Sequence, residues 1–128
     1  MSKLYADTDF FLALLKKNDW LKKNSEQIYK NHKNELWTSG LTLNELILIS
    51  YREGKDPTEI VEKASRLMEI REPTIGIEGY LSTCYLMKKY NMSPFDALHA
   101  VYCGNDAIVS SDKKYDAIGL KRIKLEEK

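Results

Sequence analysis

Cysteine is scarce, and the two present, Cys84 and Cys103, stand far apart on separate predicted helices with no CxxC or other metal-ligand spacing. That excludes a disulfide framework or a soft-metal cage and predicts buried, reduced thiols. An excess of one charge is also missing. The 20 Lys and Arg against 19 Asp and Glu leave a net charge of +1, so any nucleic-acid function has to rest on a local site rather than a basic field. A long apolar run is absent too. The N-terminus, MSKLYADTDFFLALLKK, is broken by Asp7 and Asp9, which argues against a signal peptide or membrane span and for a cytoplasmic protein. No repeat, low-complexity tract or linker divides the chain, and its length suits a single domain over residues 1–128.

What is present alternates between two periodicities. Lys3 to Ala6 reads as a short buried strand ending in an acid, and from Thr8 the apolar spacing becomes helical. A second helix is expected from about Asp19 to Asn34, with Asn18 or Asp19 as its cap. Glu35 to Ser39 is predicted as a strand, followed by a largely buried helix in LTLNELILISYRE. Pro57 to Ile70 predicts an amphipathic helix, Thr74 to Ile77 a third strand, and Glu78 to Tyr90 a helix ended by Asn91. Ser93-Pro94 is a helix start, with serine as cap and proline at the first helical position. Ala107 to Ser110 and Arg122 to Leu125 complete the strands, joined by a turn-rich stretch. Such alternation implies an α/β sandwich with a mainly parallel sheet of four or five strands, because parallel neighbours need a crossover.

In such sheets ligands bind at the carboxyl ends of the strands, where the strand order reverses. Asp7 directly follows the first strand and Asp112 lies just beyond the fourth, so both project from one edge. Glu45 sits in the apolar run Leu41, Leu43, Leu46, Ile47, Leu48, Ile49, where a carboxylate wants a partner. Asp96 lies in the first turn of the helix opened at Pro94, a position that plain helix-end electrostatics explains equally well on its own. Two carboxylates about 4 Å apart repel by roughly 4 kcal/mol at an effective dielectric near 20, so four together need a cation or shared protons. Oxygen-only ligands select a hard ion. Magnesium fits, with manganese as substitute, and phosphodiester hydrolysis is the chemistry implied.

The segments LYADTDFFLALL, TSGLTLNELILIS, SPFDALHA and AIVSSDKKYD, in this order from Leu4 to Asp116, resemble the successive acidic motifs of the PIN-domain family. The resemblance implies a three-layer α/β/α nuclease fold with Asp7, Glu45, Asp96 and Asp112 as metal-binding acids. It also implies a magnesium-dependent endoribonuclease. For many small members it further implies the toxin of a VapBC-type pair, a homodimer silenced by an antitoxin that enters the active-site groove. Ser110 replaces the threonine common two residues before the last acid, and its hydroxyl can make the same supporting hydrogen bond. Thr8 could likewise orient a carboxylate or cap the following helix. Asp116 competes with Asp112, which ranks first. Asp9 reads as a helix-dipole residue. His99, three residues after Asp96, could meet a phosphate, though a packed histidine is the plainer reading. Lys113 and Lys114 are candidates for substrate phosphates, and Tyr115 divides equally between base stacking and packing. The alternatives are an RNA-processing PIN nuclease outside a toxin system, a non-catalytic RNA- or protein-binding PIN module, and, remotely, a phosphoacceptor domain.

Overall fold

The computed structural model describes residues 3–126. In chain order the elements are β1 (Leu4–Ala6), α1 (Thr8–Leu15), α2 (Lys22–His32), β2 (Leu36–Ser39), α3 (Gly40–Glu53), α4 (Pro57–Leu67), β3 (Glu69–Arg71), α5 (Gly76–Tyr90), α6 (Pro94–Cys103), β4 (Ala107–Ser110), α7 (Lys114–Ala117) and β5 (Arg122–Lys124). All strand pairs are parallel, in the order β3-β2-β1-β4-β5. The expected α/β/α sandwich is present.

Strand alternation builds the two outer layers. Leu4, Ala6, Leu36 and Val109 face a core completed by Phe10, Phe11, Ala13, Ile28, Leu46 and Ala64 from α1 to α4. Tyr5, Trp37 and Ile108 point the other way, into a core with Ala97, Ala100 and Cys103 of α6 and Tyr115 of α7. Neighbours along a strand face opposite sides, so β1 supplies both cores from three residues.

The ends of the helices follow local chemistry. Ser93 accepts from the Asp96 amide with Pro94 at the first position, and Asn91 closes α5 at φ 56°, in the left-handed conformation that asparagine tolerates. Gly54 closes α3 at φ 67°.

The third strand is a correction. It lies at Glu69–Arg71, pairing with β2, and not at Thr74 to Ile77; α4 therefore stops at Leu67, short of Ile70. This strand lies at the sheet edge and is only partly buried, so it carries no apolar run to betray it. Pro73, which has no amide hydrogen to give a ladder, follows it. Asp19 accepts from the Leu21 amide in a turn ahead of α2, which itself begins at Lys22 without a side-chain cap. The stretch expected to be all turn also holds the short helix α7.

Candidate active site

β1 and β4 are adjacent, and from them the chain runs outward in opposite directions, to β2 and β3 on one side and to β5 on the other. The acids following these two strands therefore meet at the reversal point. The Asp7 amide extends the ladder by donating to the Val109 carbonyl at 3.0 Å. Beside it, the fully buried Ser110 hydroxyl donates to Asp7 Oδ2 at 2.7 Å and accepts from the Asp112 amide at 3.0 Å. One serine thus sets the relative position of the two strand-end acids.

Asp7 Oδ1 accepts from the Thr8 amide at 2.8 Å, capping α1, while the Thr8 hydroxyl donates to Glu45 Oε1 at 2.8 Å. Both roles weighed for this segment are present, divided between the Thr8 hydroxyl and the Asp7 carboxylate. A crevice of about 410 Å³ is lined by Asp7, Thr8, Asp9, Glu45, Asp96, Ser111 and Asp112, with Leu12 and Ile49 as its apolar members. It gathers the four predicted acids and one more.

That additional acid is Asp9. Its Oδ2 takes hydrogen bonds from both the amide and the hydroxyl of Ser111, and its Oδ1 is buried with no partner among the described residues. A dipole-favouring position in the first turn of α1 concealed this role. The only hint in sequence was the spacing Asp7-x-Asp9 opposite Ser110-Ser111-Asp112.

Asp116 is excluded from the cluster. It is exposed and forms a forked pair with Arg122, at 3.0 Å for both contacts, which holds its carboxyl below the usual range. Of the two, Asp112 lines the crevice and Asp116 does not. His99 is fully buried, and reaches Glu45, Thr8 and Tyr5 rather than the crevice surface. His99 is not among the side chains that line the crevice. Lys113 and Lys114 are exposed beside the crevice without lining it, and the Lys114 amide donates to Asp112 Oδ1 at 2.9 Å. Tyr115 is fully buried, which excludes base stacking.

The acids feel one another. Burial pushes the Asp7 carboxyl up, against the opposing effects of His99, Ser110 and Thr8, and the charge of Glu45 adds to the rise. Burial and then the charge of Asp7 carry Asp9 up to about 6. Asp96 is also raised, by burial first and further by Asp112. For His99, burial opposes protonation, but the Glu45 hydrogen bond and the charge of Asp7 prevail and raise it.

Among the described residues no three His, Cys, Asp or Glu side chains already converge on one metal-sized point; like charges spread around a crevice behave in this way. The donor set nonetheless fits a hard cation. It consists of carboxylate oxygens, it includes the unpartnered buried Oδ1 of Asp9, and three of its acids are held above their ordinary range.

A stability test follows from Asp9. Its raised pKa means that the metal-free native state binds a proton more readily than the unfolded chain between about pH 4 and 6, so stability falls as pH rises through that window. Asp9→Asn keeps an oxygen for Ser111 and removes the charge. It should stabilise the EDTA-treated protein at pH 7 by about 1–2 kcal/mol, after discounting for solvent, and by little at pH 4. Urea unfolding at both pH values measures this, and an equal change at both would count against the assignment.

The comparisons with known proteins agree with the geometry. The PIN domain family model matches residues 4–121. The chain belongs to the PIN-domain family. Solved structures similar to this PIN domain include Mycobacterium tuberculosis VapC20, described as a Sarcin-Ricin loop cleaving toxin. The TM-score is 0.76 at 16% identity, over 94% of this chain and 98% of that one. VapBC from Salmonella typhimurium, bound to DNA, gives a TM-score of 0.70 at 20% identity, over 98% and 99% of the two chains. VapBC2 from Rickettsia felis, bound to a promoter DNA fragment, gives 0.69 at 18% identity, over 94% and 97%. At these identities the likeness is one of fold. No curated protein matches in sequence.

Proposed function

We propose that this single PIN domain is a metal-dependent endoribonuclease and the toxin of a VapBC-type pair, acting in the cytoplasm. The observation that carries the reading is the crevice itself: Asp7, Asp9, Glu45, Asp96 and Asp112 line one cleft at the reversal point of a parallel sheet. Three of them, Asp7, Asp9 and Asp96, are held above the ordinary carboxyl range chiefly by burial, and such acids in a cleft mark a working site.

Asp7, Glu45, Asp96 and Asp112 would hold magnesium, or manganese in its place, with Asp9 as a fifth oxygen donor. The ion would make water a competent nucleophile near neutral pH and offset charge developing at phosphorus. Thr8 and Ser110 orient Glu45 and Asp7 through the hydrogen bonds described above. Lys113 and Lys114, exposed beside Asp112, are placed to meet backbone phosphates of the RNA.

Through Leu12 and Ile49 the crevice adjoins a larger hollow of about 690 Å³ among α1, α3 and α4. That continuity supports a route by which an antitoxin segment could reach the acids. The apolar surface of α5 supports a homodimer: Ile77, Tyr80, Leu81 and Tyr85 are all more than half exposed, and apolar patches of this kind mark interaction surfaces.

RNA and DNA substrates incubated with magnesium, and again with EDTA, test the activity. RNA should be cut only with the metal present, and excess magnesium should restore an EDTA-treated sample. Cleavage that persists in EDTA, or a protein that cuts neither polymer under any condition, would overturn the proposal.

A further inference from the structure

His99 makes hydrogen bonds to three side chains from three different elements although no solvent reaches it. Its Nε2 contacts Glu45 Oε1 of α3 and lies 3.3 Å from the Thr8 hydroxyl of α1; its Nδ1 lies 2.7 Å from the Tyr5 hydroxyl of β1. Tyr5 continues the chain to Ser39, at the end of β2, at 2.7 Å. Both His99 and Tyr5 are fully buried.

An ionised carboxylate can only accept, so His99 Nε2 must carry the hydrogen between them. This holds whether the ring is neutral or charged. In the neutral ring Nδ1 is then the acceptor, and the Tyr5 hydroxyl is the donor that keeps it so. Glu45 is a long side chain at a partly exposed position on a helix, with several rotamers open to it. With Thr8 and His99 both donating to Oε1, one oxygen is fixed, and no hydrogen bond to Oε2 is recorded among the described residues.

We infer that Tyr5 and His99 are positioning residues for Glu45, which tie down its Oε1 through a buried Tyr5–His99–Glu45 chain so that Oε2 is the oxygen presented to a cation. This rests on the metal-dependent reading above. Neither residue touches substrate. The arrangement follows the general pattern in which a carboxylate that binds a metal is itself held by hydrogen bonds, and loss of such support weakens metal binding 10–100-fold.

Two substitutions at one position separate the roles of the ring nitrogens. His99→Gln places an amide nitrogen where Nε2 was, keeping the donor to Glu45. His99→Asn can place its amide oxygen where Nδ1 was, still accepting from Tyr5, and loses the donor to Glu45. Manganese binding, measured by calorimetry on the intact chain, should weaken about 10–100-fold in His99→Asn and by less than about threefold in His99→Gln, with Tyr5→Phe between them. A merely structural histidine would not rank the variants this way. Equal affinities for the Asn and Gln variants, or wild-type affinity in both, would overturn the inference. If the wild type binds manganese and loses it in Asp7→Asn while His99→Asn binds normally, the metal site stands and the positioning role falls. If the wild type binds no manganese, the functional reading falls and takes this one with it. Should His99→Asn fail to fold, the wild type decides: the His99 Nε2 proton resonance should move on magnesium titration, and a resonance that stays fixed is the contrary result.

Discussion

Asp7→Asn is expected to abolish magnesium-dependent cleavage, a fall of roughly 10³-fold or more, while leaving a folded protein that is more stable without metal than the wild type. Asp7 is the most deeply buried of the acids, and burial holds its carboxyl above the usual range. Its folded pKa being raised, the metal-free protein loses stability as pH rises from the unfolded value through the folded one. Asparagine removes that cost and retains an oxygen for either the Thr8 amide or the Ser110 hydroxyl. The opposite signs of the two effects are the point. A residue retained for the fold would destabilise when neutralised; one retained for a cation stabilises and inactivates. Cleavage assays with thermal unfolding in EDTA measure both, and unimpaired cleavage would remove Asp7 from the site.

Leu81→Glu should convert a dimer into a monomer in sedimentation experiments. Among the described residues of α5, Thr83 alone is fully buried, whereas Leu81 is 61% and Ile77 73% exposed. Ile47 of α3 shares with Tyr80 a neighbouring hollow of about 490 Å³, so the apolar surface extends beyond one helix. In a two-fold interface each change occurs twice. Losing a buried leucine at about 2 kcal/mol per copy gives roughly 4 kcal/mol, about a thousandfold in affinity, before any cost of burying the new charge. Exchange of an exposed, charge-free residue on α2, away from this surface, such as Asn31→Ser, provides a comparison. A wild type that sediments as a single chain at all concentrations would remove the dimer from the proposal.

The strand-end acids were legible in the sequence because their signal is local: an apolar run that stops at Asp7, another that leads to Asp112, and a Ser-Pro start ahead of Asp96. The order of the acidic motifs then supplied the family. What stayed hidden depends on partners distant in the chain. Asp9 looked like a helix-end residue until Ser111, 102 positions away, was found bonded to it. The place of Asp116, outside the crevice, depends on Arg122, whose strand brings it to pair with that carboxylate. Glu69–Arg71 was missed because a half-exposed edge strand of three residues has no apolar alternation to read. Tyr5 gave no functional signal at all, since its place on β1 looks like ordinary core until α6, packed on the face to which Tyr5 points, is seen to bring His99 to its hydroxyl.

The pairing of β1 with β4 joins Leu4 to Ala107 and Ala6 to Val109, so the crevice is sewn from two distant stretches of chain. Asp7 and Asp9 meet Ser110 and Ser111 only through contacts spanning 103 and 102 positions. Pairings so distant in sequence are slow to form. A chain with either half folded alone holds its acids apart, and the crevice exists only once the β1–β4 ladder has closed.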